Sequence, residues 1–150
     1  MDPRTRQRLL DADDPVAYET PAGFDWQRAM TRVRALVPAL EAIVGRPLTL
    51  DEHVQDASFF TDVACHREAT HPGMGRVFEV IIAVRFSSFG DLFTVTFAAD
   101  VAADVVSQVI AAVSDAGFVH VPAGELAEPY TGRHPSFATT SWWIRFFDYL

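Results

Sequence analysis

The chain has 150 residues, 49% of them hydrophobic, which is enough to bury a core without disulfides, so we expect one domain spanning residues 1–150. The formal net charge of −8 argues against nucleic acids and acidic membrane surfaces as partners, because both attract clustered cations, and it favours a protein partner, with a basic one the best match. All 12 basic residues are arginine, which excludes the lysine chemistry of Schiff bases, pyridoxal phosphate anchors and Walker A loops.

The remaining sequence signals for catalysis are weak. The single cysteine, Cys65, excludes an intrachain disulfide, and no GxSxG, HExxH or GxGxxG motif is present. We therefore predict no cofactor and no metal, and we leave open whether the protein is an enzyme, with a non-enzyme favoured. The charged first residues and the lack of a long apolar run predict a cytoplasmic protein that does not enter a membrane.

The N-terminal segment, residues 1–24, is expected to lie at the periphery of the domain. Asp2 and Pro3 are typical of a helix start, since aspartate caps the first turn and proline suits the first helical position. The acidic run before Pro15 predicts the end of that helix in a solvated turn, followed by a loop.

Residues 26–44 predict the first long helix. Asp25 is a suitable N-cap and Gly45 a suitable stop, while Pro38 is expected to kink or split the helix because it removes one backbone donor. Apolar side chains recur at spacings of three and four and form one stripe that should pack on a sheet: Trp26, Met30, Val33, Val37, Leu40 and Val44.

Two strands are predicted next, over 48–50 and 54–65. Alternation in the second strand predicts an inward set, Ala57, Phe59, Val63 and Cys65, and an outward set, Asp56, Ser58, Phe60 and Asp62. Residues 66–75 are polar and predict a mobile connection. Cys65 with His66 and His71 matches no common zinc spacing, so we interpret these histidines as surface groups.

The strongest pattern in the sequence predicts a hairpin of strands 76–86 and 92–98. In its first strand an inward set, Phe78, Val80, Ile82, Val84 and Phe86, alternates with an outward set, Val77, Glu79, Ile81, Ala83 and Arg85. Gly90 supplies the positive φ that such a connecting loop often needs.

The outward residues suggest a polar sheet face formed by Asp62, Glu79 and Arg85. Cross-strand ion pairs are the simpler interpretation, since opposite charges on neighbouring strands stabilise a sheet. The alternative is a site for general acid–base chemistry, which would require these side chains to converge in one pocket with the loop at 122–140.

A second helix is predicted over 101–116, with Asp100 as its cap and Gly117 as its stop, followed by a strand at 118–121. Residues 122–140 lack periodicity, and a connection of this length is often functional or packed by its own side chains. Its polar members either bind a partner or attach the loop to the body of the domain: Tyr130, Arg133 and His134.

The chain ends in an aromatic segment, SWWIRFFDYL, in which Thr140 or Ser141 could cap a short helix, although a strand also fits the pattern. This segment either closes the core of its own domain or anchors a second protein, because interfaces favour Trp, Tyr, Phe and Arg. The partner-binding candidates are Trp142, Trp143, Arg145, Phe146 and Tyr149.

These elements predict an α+β fold, a two-layer sandwich whose antiparallel sheet of four to five strands carries two main helices on one face and is followed by a short aromatic C-terminal helix. Size, acidity and element order loosely resemble those of small acidic chaperones of bacterial type III secretion, and they also suit small immunity proteins.

Acidity, the missing catalytic motifs and the aromatic C-terminus favour a non-catalytic protein-binding module of bacterial immunity, inhibitor or chaperone-like type. One alternative is a small ligand-binding domain or enzyme that uses residues 122–140 and the outer sheet face. Another is a homodimer formed through the terminal helix.

Overall fold

A five-stranded sheet organises the fold. This computed structural model describes all of residues 1–150, and its strands lie side by side in chain order. They are β1 (Thr49–Leu50), β2 (Phe59–His71), β3 (Gly75–Ser87), β4 (Leu92–Phe97) and β5 (Val119–His120). The first three pairings are antiparallel and the β4–β5 pairing is parallel. The predicted α+β fold is confirmed, but the sheet is mixed, because the chain crosses over through a helix between β4 and β5.

Five helices pack around this sheet. They are α1 (Pro3–Ala12), α2 (Trp26–Val44), α3 (Ala103–Asp115), α4 (Ala123–Leu126) and α5 (Trp142–Phe147), and a 3-10 turn lies at Pro135–Phe137. As predicted, α2 and α3 pack on one face of the sheet, where they enclose a core of 17 buried residues. We call the opposite face of the sheet the outer face.

The ends of the long helices follow local sequence signals only in part. The Arg28 N–H donates to the Asp25 carboxylate at the start of α2 (3.0 Å), and Gly45 ends this helix with a φ of 72°. Pro38 lies within α2, which remains continuous. The predicted cap of α3 is wrong, because the cap position is occupied by Ala102, and Asp100 instead pairs with an arginine of β2.

A second core of 10 buried residues lies on the outer face at one end of the sheet. Leu92 belongs to this core whereas its neighbour Phe93 belongs to the first core, as expected for adjacent residues of a strand. Leu9 is fully buried in it, so the segment expected to be peripheral contributes to the interior. The C-terminal helix α5 also belongs here and is capped by Ser141, whose Oγ accepts from the Ile144 N–H (3.4 Å).

A β-bulge near the start of β2 reverses the predicted facing of two phenylalanines. The register shifts between Phe59 and Thr61, which leaves Phe60 as the extra residue. Phe60 is therefore part of the first core, while the Phe59 ring lies on the outer face, 5.0 Å from the ring of Tyr149. The predictions that Phe59 points inward and Phe60 outward are both wrong.

A second bulge reverses the distal half of the β2–β3 hairpin. Cys65 pairs with Ile82 and His66 pairs with Val80, which leaves Ile81 as the extra residue. Val80 and Phe78 consequently point to the outer face, where they are 45% and 77% exposed. The prediction that both face the core is wrong, because one inserted residue moves every side chain beyond it to the other face.

The distal half of the hairpin projects as a two-stranded ribbon. Its strands remain paired as far as His71 and Gly75, beyond the ends of β1 and β4. The prediction of a polar connection at 66–75 is therefore wrong, since most of that stretch is strand and only the tip turns. We call residues 66–80 the arm.

Candidate functional site

A cavity of about 620 Å³, which we call the groove, lies on the uncovered part of the outer face. Its floor is a row of small side chains, one from each of four adjacent strands. Thr49 pairs with Ala64, Ala64 pairs with Ala83, and Ala83 pairs with Thr96. Because residues directly opposite one another share a face, these four side chains form a trough that runs across the strands.

Larger side chains border the groove on both sides. On one side lie Asp62 and Arg85, which are cross-strand neighbours, with Trp143 of α5 beside the guanidinium. On the other side lie His66 and Val80, which the second bulge places on the outer face. Asp62 and His66 are four positions apart on β2, and a strand rises by about 3.3 Å per residue, so the two borders are separated by about 13 Å.

The Asp62–Arg85 pair attaches α5 to the sheet. Nε and Nη2 of Arg85 donate to the two oxygens of Asp62 at 2.8 Å each, and Nη1 donates to the Phe147 carbonyl at 2.7 Å. The guanidinium also stacks over the Phe59 ring at 3.9 Å. Every nitrogen of Arg85 is thus engaged, so this pair is a structural ion pair rather than an acid–base couple.

Glu79 does not share a face with Asp62 and Arg85, which corrects the predicted polar sheet face. Glu79 accepts from Arg67 Nε (3.0 Å), and its other oxygen lies 2.6 Å from His71 Nε2. The hydrogen bond to His71, and then that to Arg67, holds the pKa of Glu79 below its usual value. The second bulge is the cause, because it turns Glu79 away from the groove.

The aromatic C-terminus closes the second core of its own domain. Trp142, Arg145 and Phe146 are buried, so their predicted contact with a partner is wrong for the folded chain. Trp143 is half-buried and lines the groove, and Tyr149 is exposed. Of this predicted set, only Trp143 and Tyr149 present substantial surface to another molecule.

Arg145 forms a fully buried ion pair with Asp13, 132 positions away in sequence. Arg145 Nε donates to Asp13 Oδ1 at 2.8 Å, and its Nη atoms donate to the carbonyls of Asp14, Ala17 and Tyr18 at 2.9–3.1 Å. The cation is therefore both paired and hydrogen-bonded, which are the conditions under which a protein interior tolerates a charge.

The polar residues of segment 122–140 join the same network. The Tyr130 hydroxyl and the Arg133 N–H both donate to Asp13 Oδ2 at 2.6 Å, and the His134 N–H donates to the Tyr130 oxygen at 2.7 Å. Burial, together with the hydrogen bond to Asp13, raises the pKa of Tyr130 to about 12. Tyr130, Arg133 and His134 thus attach the segment to the N-terminus, and none of them lines the groove.

The structure also places the residues that the zinc interpretation considered. Cys65 is buried in the first core, whereas His66 is exposed on the outer face, so adjacent side chains diverge. No group of three histidine, cysteine, aspartate or glutamate side chains lies close enough to hold a metal ion. No helix has the length and hydropathy needed to cross a membrane.

The groove is the candidate site that sequence reasoning missed. Alternation had already placed Ala83 outward, but a row of small residues from four strands becomes visible only once the strand register is known. In comparisons with known proteins, no family model, no curated protein and no solved structure matches this chain.

Proposed function

We propose that this protein is a non-catalytic protein-binding module, of immunity, inhibitor or chaperone-like type, which holds a segment of its partner in the groove. The observation that supports this proposal is the row of small residues on the outer face. The chain buries most of its large aromatic side chains in its two cores, yet it leaves this trough of about 620 Å³ open.

The dimensions of the groove suit a polypeptide segment. Its borders lie about 13 Å apart, and the four strands beneath it extend over about 14 Å. An extended chain or one face of a helix, whose diameter is about 10 Å, fits between these borders. Trp143 and Val80 offer apolar contacts on opposite borders, which matches the preference of interfaces for a hydrophobic centre.

The charges around the groove favour a partner segment with a positive end. Asp51 and Glu52 lie beside β1 at one end of the groove, where Glu52 is paired with Arg34 at 2.6 Å and the Asp51 carboxylate has no ion pair. The only arginine that lines the groove, Arg85, is already paired with Asp62. With the net charge of −8 on the whole chain, this arrangement attracts an arginine or lysine to the β1 end.

The competing proposal of a small enzyme or ligand-binding domain has less support. It required Asp62, Glu79 and Arg85 to converge with segment 122–140. Instead Glu79 lies on the other face, and the polar groups of the segment are bonded to Asp13. With Arg85 fully engaged as well, the side chains that this proposal names do not form one acid–base site at the groove.

Site-specific crosslinking tests this proposal. A photo-reactive phenylalanine analogue is placed at Ala83 on the groove floor, and at the exposed Ala111 of α3 as a matched control. The purified protein is irradiated in an extract of the cells that naturally make it. We expect one discrete protein adduct from position 83, which unlabelled protein competes away. Equal labelling from both positions, or no protein adduct from position 83, would refute the proposal.

The captured protein is then used to test the groove quantitatively. We expect Ala83→Tyr to weaken its binding at least about tenfold, because the new ring fills the trough, while Ala111→Tyr leaves the Kd unchanged. We also expect binding to weaken as salt is added, because the attraction is partly electrostatic. If the Ala83→Tyr variant binds as tightly as the unmodified protein, the partner does not bind in the groove.

A further inference from the structure

The arm presents two open strand edges. Its pairing runs from His66–Val80 to His71–Gly75, while β1 ends its pairing at Ala64 and β4 ends its own at Ile82. An open edge carries unpaired N–H and C=O groups, and proteins usually protect it with charged side chains, proline or a cover. A ribbon of only two strands is also marginally stable in water. A third strand that pairs with one of these edges would satisfy its main-chain N–H and C=O groups and stabilise the arm.

The arm also exposes apolar surface next to its open edges. Phe78 is 77% exposed on the outer face, and Met74 at the tip is 72% exposed. Val80 lies two positions from Phe78 on the same face and is 45% exposed, so these two side chains adjoin, and adjoining exposed apolar side chains mark an interaction site more often than isolated ones. Phe78 and Val80 belong to β3 and Met74 to the turn that leads into it, so the β3 edge is the favoured one.

The charge of the arm indicates what the third strand is. Arg67 and Arg76 balance Glu68 and Glu79, so the arm is neutral at neutral pH although the whole chain carries −8. Its charges are already paired, Arg76 with Glu68 at 2.9 Å and Arg67 with Glu79 at 3.0 Å, and Arg67 also pairs with Asp100 outside the arm. Two copies of this acidic chain would repel one another over most of their surfaces, but not where two arms meet.

We infer that two copies of this chain associate by antiparallel pairing of their β3 arms around a two-fold axis. The charges of the arm and the position of β4 decide which residue of β3 lies on the two-fold axis. If Arg76 or Glu79 lies on the axis, it faces the same residue of the second copy, and two like charges opposite one another destabilise a sheet. Centring the pair on Phe78 places Met74 of one copy opposite Ile82 of the other, a position already occupied by β4.

Centring the pair on Val77 avoids both conflicts. Met74 of one copy then lies opposite Val80 of the other, short of β4. Arg76 of each copy lies opposite Phe78 of the second copy on the same face, which permits a cation–π contact. The two arms thereby complete each other with main-chain hydrogen bonds, and the two grooves lie on one continuous sheet face. This inference is independent of what the groove binds.

Sedimentation equilibrium of the full chain up to about 100 μM tests the association, since a dimer with a micromolar Kd is then well populated. We expect a dimer for the unmodified protein. Phe78→Arg should raise the dimer Kd at least about tenfold, because it places two arginines opposite each other. The matched control is Val16→Arg, which changes an exposed apolar side chain in the N-terminal segment and should leave the dimer intact.

Two further variants test the register. Adding Arg76→Glu to Phe78→Arg restores opposite charges across the two-fold axis, so we expect the dimer to return. Val77→Cys should form a disulfide-linked dimer on mild oxidation, since paired strand residues lie within disulfide range, whereas Thr70→Cys on β2 should not. Cys65 does not interfere because it is buried. A monomer at every concentration, or a dimer that survives Phe78→Arg, would overturn the inference.

Discussion

The buried pair of Asp13 and Arg145 gives the sharpest test of how this fold is held together. Both side chains are completely inaccessible to solvent, and they join the end of α1 to α5. Asp13→Asn keeps the shape and volume of the side chain but removes its charge. The substitution therefore leaves a buried guanidinium without a counter-charge, because the new amide oxygen and the three backbone carbonyls can accept its hydrogen bonds but carry no formal charge.

The expected loss of stability is large. Breaking a buried ion pair by removing one partner typically costs about 3–5 kcal/mol, because the other charge stays desolvated. For a chain of this length each 1 kcal/mol shifts the melting temperature by about 2–4 °C, so Asp13→Asn should lower it by about 6–20 °C. Glu68→Gln at the exposed Arg76 pair is the control and should cost less than about 1 kcal/mol.

Urea unfolding followed by tryptophan fluorescence measures this loss, because Trp142 lies in the second core with its ring 4.7 Å from that of Tyr130, which donates to Asp13. Arg145→Met and the double variant complete a mutant cycle. We expect the double variant to be more stable than the sum of the single losses predicts, since no uncompensated charge remains. A cost below about 1 kcal/mol for Asp13→Asn, with an unchanged m-value, would refute the reasoning.

Two further predictions concern the arm and the segment that covers Asp13. The pKa of Glu79 lies below its usual 4.5 because of His71 and Arg67, so its contribution to stability is present above pH 4.5 and is lost as the pH falls below that value. In urea titrations at several pH values, the stability difference between Glu79→Gln and the unmodified protein should shrink on acidification, and a constant difference would contradict this. Gly132→Ala should cost about 1–3 kcal/mol in the same assay, because the added Cβ would meet the Tyr130 ring at 2.6 Å, whereas Gly124→Ala, with nothing within 4 Å, should cost little.

Local features of the sequence were sufficient to predict most elements. Asp2 caps α1 and Asp25 caps α2, as expected, because a cap requires only one side chain and the next few backbone N–H groups. The hairpin of β3 and β4 was predicted because alternation and a glycine with positive φ, Gly90, are both short-range signals. These interactions span a few residues, so the sequence alone carries them.

The facing of side chains near the bulges was decided by the tertiary structure. Phe59, Phe60, Phe78, Val80 and Glu79 all take a face other than the predicted one. Alternation assumes that successive side chains point to opposite faces of the sheet. A single unpaired residue moves every side chain beyond it to the other face, and the local sequence pattern does not show where this happens. The position of a bulge depends on how the partner strand is paired, which is information that a single strand does not contain.

The second core and the groove depend on residues that are distant in sequence. Asp13 and Arg145 appeared as a solvated acidic turn and a partner-binding cation until the fold placed them 2.8 Å apart. The floor of the groove combines Thr49, Ala64, Ala83 and Thr96, none of which is distinctive by itself. The sequence by itself determined the two long helices, the central hairpin and the acidic surface, since propensity, alternation and charge act locally. Only the packed sheet decided which surfaces are closed and which remain open, because that depends on register between strands and on contacts across more than a hundred residues.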